Sequence, residues 1–216
     1  MNGSKIVNIL LALTLVVLLI KFPKNKEKTM IESSPKSALE VIHERKSVRS
    51  FTEQAVTTEQ IDILLKAAMA APTAKNIQPW EFIVITNKDL LHQLAAELKT
   101  GKALAQVSAA IVVASNQEVV AKGTASPTSW IQDCSIASQN ILLAAEAQNL
   151  GAVWIGVYPY EERILSVRQT LNLPEHIIPL NVIALGYSTG KDKPKNKWNP
   201  NKIHYNQWDS SSHQID

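Results

Sequence analysis

Apolar positions along this chain follow three patterns, and each falls on a different stretch. The first is an unbroken run. Ile6 to Phe22 is apolar except for Asn8, Thr14 and Lys21. As a helix it would span about 26 Å, slightly short of a hydrocarbon core of about 30 Å. Two readings compete: a secretory signal that begins at Lys5, or an uncleaved single-span anchor. The anchor over residues 1–22 is preferred, because Leu18-Leu19-Ile20-Lys21-Phe22 offers no small-residue cleavage site. A membrane-anchored protein with a transmembrane helix over residues 6–22 is therefore expected. Its side stays open, since Lys21, Lys24, Lys26 and Lys28 point inward and weak secretory-type starts point outward. Residues 23–37 are polar and read as a linker.

The second pattern has helical spacing. Ser37 to Glu44 predicts a short helix with Leu39, Ile42 and His43 on one side. Thr57-Thr58-Glu59-Gln60 is a capping box, followed at helical spacing by Ile61, Leu64, Leu65, Ala68 and Met69. Ala71-Pro72 ends that helix. Asn87 caps a helix through Leu98, and Glu161–Leu171 predicts another. Trp130 to Asn149 is the longest helical stretch. Its Ala/Ile/Leu content covers more than one face, which predicts burial in the core or a dimer interface, and Gly151 is expected to end it. The third pattern is short and β-rich: Glu81–Thr86, Ala110–Ser115, Ala152–Val157 and Leu180–Leu185. Helix and strand alternate around one core, a layered α/β or α+β domain, and the pattern leaves parallel and antiparallel pairing open.

Composition narrows the classes. At 216 residues with 45% hydrophobic and 19% charged, the chain has material for one sizeable core. The single cysteine, Cys134, excludes an internal disulfide framework. No dinucleotide fingerprint, P-loop, H-E-x-x-H or G-x-S-x-G occurs. The five histidines show no metal-ligand spacing. The net charge of +3 comes from the N-terminus, where residues 1–37 hold six lysines against two glutamates. The remainder is net −1, which argues against a nucleic-acid-binding body.

Three stretches could carry chemistry. Arg45-Lys46-Ser47-Val48-Arg49 puts three cations and a hydroxyl within five residues. In extended chain Arg45, Ser47 and Arg49 share a face, an arrangement that suits a phosphate. A basic helix C-terminus is an equal reading. The loop Ala71–Trp80 presents Thr73, Asn76 and Gln78 between two prolines, which suits a heterocycle, although from the residues alone ordinary turn chemistry is the favoured reading. Gly151-Ala152-Val153-Trp154-Ile155-Gly156 frames a strand with glycines, and Gly156 could admit a close backbone approach. Lys195 and Lys197 are a second anion contact or a solvated lysine run.

In this order the segments resemble the nitroreductase family of FMN-dependent oxidoreductases. Its motifs run R-R-S-x-R, A-P-S-x-x-N-x-Q-P-W, Q-N-L-L-L-A-A, G-x-x-W-I-G and I-x-L-G-Y. The chain has Arg45–Arg49, Ala71–Trp80, Gln139–Ala145, Gly151–Gly156 and Ile183–Tyr187 in the same order. The resemblance covers about residues 38 to 208. It implies an α+β, three-layer fold, with a central mixed sheet flanked by helices and FMN at a homodimer interface. It implies a domain over 38–208 and a disordered tail over 209–216. It also implies NAD(P)H as reductant, with hydride passing to flavin N5 and then to a nitroaromatic, quinone or similar small-molecule acceptor. By position, Arg45, Lys46 and Ser47 would hold the phosphate end with Lys195 or Lys197, and Arg49 the flavin N1/C2 edge. Pro72, Thr73, Asn76 and Gln78 would come from the partner subunit. Trp154, Ile155 and Gly156 would line the isoalloxazine, and the segment around His204–Trp208 would wrap the partner.

The chain departs from those motifs where Thr73 replaces serine and Lys197 stands where arginine is common. The stretch between Ser115 and Ser129 is short, so no substrate lid is expected. Within the family, reductive dehalogenation is the alternative activity. A membrane-tethered flavin electron-transfer protein without small-molecule turnover is the alternative from a different functional class.

Overall fold

The computed structural model describes residues 36–208. The expected anchor, nearly all of the linker and the expected disordered tail lie outside them. Among the described residues no helix is long and apolar enough to cross a membrane. The membrane-anchored localisation expected from the sequence is accordingly withdrawn.

The elements run α1 (Ala38–Glu44), α2 (Thr58–Met69), β1 (Trp80–Ile85), α3 (Lys88–Glu97), β2 (Ala109–Asn116), α4 (Gln117–Lys122), α5 (Ser129–Ala147), β3 (Gly151–Gly156), α6 (Glu161–Leu171) and β4 (Ile177–Gly186). Short 3-10 turns interrupt the loops. The capping box is formed: Thr57 Oγ1 accepts the Gln60 N–H at 3.3 Å, and Gln60 Oε1 accepts the Thr57 N–H at 3.0 Å. Ser37 and Glu40 make the same reciprocal pair at the start of α1. Asn87 caps α3 through two amide bonds to its Oδ1.

The four strands lie in the order β1-β2-β4-β3, and every pairing is antiparallel. The mixed character expected of the sheet survives only as an isolated parallel bridge between Ser47 and Ala152. Alternation along the strands builds two cores, one on each face. Ile111, Val113, Ile183 and Leu185 face α2 and α5, together with Ile61, Leu64, Cys134 and Ile141. Ala110, Val112, Val182 and Ala184 face α3 and α6, together with Leu91, Leu94 and Val167. The result is the expected α+β, three-layer arrangement.

Local differences from the sequence reading have physical causes. The left-handed residue after α5 is Asn149 (φ 58°), so Gly151 is free to begin β3. In α1 the buried residue is Val41, while Leu39 and Ile42 are exposed. A helix of about two turns has only a short face to set against the body. Between Ser115 and Ser129 the chain forms the six-residue α4, capped by Asn116 Oδ1, which was not anticipated. Cys134 is fully buried in α5 and its thiol donates to the Ala114 carbonyl. Burial, with the Asp133 charge beside it, pushes the thiol up to about 12.

Candidate functional site

The segment Arg45–Phe51 leaves α1 and lies across the ends of β3 and β4. Val48 N–H donates to Ala152 O at 3.0 Å, Thr52 N–H to Tyr187 O at 2.8 Å and Thr189 N–H to Ser50 O at 3.1 Å. Two apolar side chains seat it: Val48 and Phe51 are both buried in the second core. Each sits over a glycine. A Cβ on Gly151 would lie 2.8 Å from Val48 Cγ1, and one on Gly186 would lie 2.9 Å from Phe51 Cδ1. Gly151 and Gly186 are register partners across β3 and β4. One cross-strand pair without side chains therefore makes room for both anchors.

With Val48 turned inward, Arg45, Lys46, Ser47 and Arg49 line an open cavity of about 1170 Å³. Its other wall is the segment Lys191–Trp198, and Ile42 and His43 of α1 close one end. Arg45, Lys46, Arg49, Lys191, Lys193, Lys195 and Lys197 bring seven fixed cations to it, against the single carboxylate of Asp192. Asp192 joins the two walls, since its Oδ2 accepts the Arg49 N–H at 3.0 Å. The Arg49 guanidinium reaches the Ser47 carbonyl at 3.4 Å. A cavity so lined concentrates positive potential and suits an anion with several acceptor oxygens.

The other sequence-predicted site residues lie elsewhere on the domain. Pro72, Asn76 and Gln78 are exposed and Thr73 is half-buried, and none of the four lines this cavity. Their loop is internally tied. Thr73 Oγ1 accepts the Gln78 N–H at 3.2 Å, and the Gln78 side-chain amide donates to Asn76 Oδ1 at 2.9 Å. Lys75, Asn76 and Gln78 all have positive φ. The loop is fastened to α5 where the buried Asp133 accepts the Ala74 N–H at 2.9 Å. Trp154 packs against the first core and Ile155 is buried in the second, so the Ile155 side chain is not available to a ligand. A Cβ on Gly156 would meet only Trp154 Nε1, at 3.8 Å, which leaves its surroundings open. The Gly156 carbonyl accepts from Arg163 Nη1 at 2.9 Å.

Several residues at or beside the cavity were not legible as site residues: Asp192, Trp198, and Glu146 with its partner Lys36. Glu146 is 6% exposed near the end of α5. It accepts from Lys36 at 2.7 Å and from Lys46 at 3.2 Å. Lys36 also meets Glu44 at 2.7 Å. A signal did exist, since Glu146 and Asp133 are the only charged residues in α5. Such residues stay inside only when partnered.

Comparison with known proteins bears on the family and the fold. The sequence profile of the Nitroreductase family matches residues 42–118 and 92–187. The Putative NADH dehydrogenase/NAD(P)H nitroreductase of Methanothermobacter thermautotrophicus is 40% identical over 175 residues, 81% of this chain and 90% of that protein. The crystal structure of a Putative NADH dehydrogenase/NAD(P)H nitroreductase from Parabacteroides distasonis superposes with a TM-score of 0.75 at 47% identity. It covers 80% of this chain and 99% of that one. An FMN-dependent nitroreductase from Clostridium difficile gives a TM-score of 0.72 at 30% identity, over 79% of this chain and 99% of that one. With the matched profile running from residue 42 to 187 and the fold shared across these structures, the chain belongs to the nitroreductase family.

Proposed function

We propose that this protein is an FMN-dependent NAD(P)H oxidoreductase that reduces nitroaromatic, quinone or similar small-molecule acceptors. The observation that carries the reading is the cationic cavity, in which Arg45, Ser47 and Arg49 face the lysines of the 191–197 segment. The residues fit the cofactor. Guanidinium forks and a hydroxyl suit its phosphate, and the cation at Arg49 suits the electron-rich pyrimidine edge of a reduced flavin. Bound FMN would supply the redox chemistry, accepting hydride from NAD(P)H and delivering electrons to the acceptor. The chain's own part is to bind and orient: Arg45, Ser47 and Lys195 or Lys197 at the phosphate, Lys46 in the same segment, and Arg49 at the ring. Gly156, with open space around it, offers backbone to the ring beside Trp154 and Ile155. An acid–base pair is unnecessary in this scheme.

The reading includes a homodimer. Pro72, Thr73, Asn76 and Gln78 lie off the cavity of their own chain and would serve the site of the second copy. The exposure of Trp198 (73%) and Tyr205 (84%) supports an arm that rests on another subunit.

The test is the visible spectrum of the purified protein. Flavin absorption, FMN released on denaturation and NAD(P)H oxidation with menadione or a nitrofuran are the expected results. A colourless protein that takes up no added FMN would remove the assignment. Bound FMN without turnover would remove the enzymatic part of it.

A further inference from the structure

Lys46 belongs to two environments. It lines the large cationic cavity, and it lines a smaller crevice of about 180 Å³ that also holds Lys36, Glu146, Asn149 and Gly151. Its ammonium is bound on the crevice side, to Glu146 Oε2 at 3.2 Å. Glu146 sits near the C-terminus of α5, where the helix dipole already places negative charge. A buried carboxylate there needs compensation, and it has two ammonium partners, of which Lys36 is shared with the more exposed Glu44. Lys36 is the closer of the two, at 2.7 Å, and Glu44 holds it from the other side. If Lys46 left, Glu146 would keep Lys36 and would not be stranded. Lysine suits such sharing, because its charge sits at the end of a flexible four-carbon stem.

We propose that Lys46 is a displaceable phosphate contact, held by Glu146 until an anion enters the cavity, and that Lys36 sets how readily Glu146 releases it. The proposal rests on reading Arg45–Arg49 as the FMN phosphate site. It adds two positioning residues, Glu146 and Lys36, neither of which lines that cavity. The anion competes with Glu146 for one ammonium, so the affinity for the cofactor is set partly from behind the wall. Two substitutions then act in opposite directions. Glu146→Gln releases Lys46 and raises affinity. Lys36→Met leaves Lys46 as the sole compensation of a buried carboxylate and lowers it.

The experiment is FMN titration of the full-length, flavin-stripped protein at low salt, followed by quenching of flavin fluorescence. Glu146→Gln is expected to bind FMN about fivefold more tightly than wild type, and Lys36→Met about fivefold more weakly. In a Lys46→Met background the gain from Glu146→Gln is expected to vanish. General damage to the fold would weaken binding in both variants, so the gain in Glu146→Gln is the result a structural role alone does not give. Weaker or unchanged binding in Glu146→Gln overturns the proposal, as does a gain that persists without the Lys46 ammonium. If the wild-type protein binds no FMN, the proposal falls together with the functional reading. If it binds FMN and the variants match it, the proposal falls alone.

Discussion

Lys36 shows how a single side chain can tie stability to pH. Its hydrogen bond to Glu146, and after it the one to Glu44, hold its ammonium above the ordinary value of 10.5. A raised folded value means that the charged form is stabilised by folding. The contribution is therefore complete below about 10.5 and is lost as pH rises through the higher folded value. Denaturant unfolding of wild type and Lys36→Met should show a constant stability difference from pH 7 to 9, closing only above about 10.5. A difference that changed across neutral pH would assign the effect to another group. The sequence pattern assigns Lys36 only to the linker. Its partner lies 110 residues away, and no local pattern encodes so distant a pair. Arg45, Ser47 and Arg49 were legible because their alternation is local, and the bridge to β3 enforces it.

At the scale of elements, the docking of Arg45–Phe51 uses the room left by the Gly151–Gly186 pair. Gly151→Ala would put a methyl within 3.0 Å of Val48 Cβ and both its γ-carbons, and a β-branched side chain has little freedom to turn away. The expected cost is about 1–3 kcal/mol, as for other overpacked sites. Weaker FMN binding should accompany it, because the segment must lift. Val48→Ala in the same chain removes both γ-carbons but keeps the Cβ at 2.9 Å, so it should restore only part of either loss, and thermal unfolding with an FMN titration checks the pair. The sequence reading gave Gly151 a different task, that of ending α5. Asn149 takes that task, being able to adopt the left-handed conformation. Element positions were otherwise close to those expected, because caps at Thr57 and Asn87 and the apolar spacing of α2, α3 and α6 act over a few residues. Strand direction was not legible, since pairing partners such as Val112 and Val182 are settled by the fold as a whole.

For the whole molecule, the proposed dimer makes a direct prediction. Trp198, Ile203 and Tyr205 are exposed, and none belongs to either core cluster. Removing residues 198–216 should leave the domain folded and halve its mass in light scattering, with loss of bound flavin. An unchanged mass would place the interface elsewhere. The order β1-β2-β4-β3 also divides the domain into two similar units. β1, α3 and β2 form one, β3, α6 and β4 the other, and they join through the β2–β4 pairing and the packing of α3 on α6. Each unit is built from near neighbours in sequence and can form quickly, whereas joining them closes a longer loop. Arg45–Phe51 precedes both units in the chain, yet it rests on the ends of β3 and β4, the last strands to be made. The anion-binding wall should therefore be among the latest parts to order. Val48→Ala should speed unfolding and leave the folding rate nearly unchanged, a signature that stopped-flow refolding reads directly.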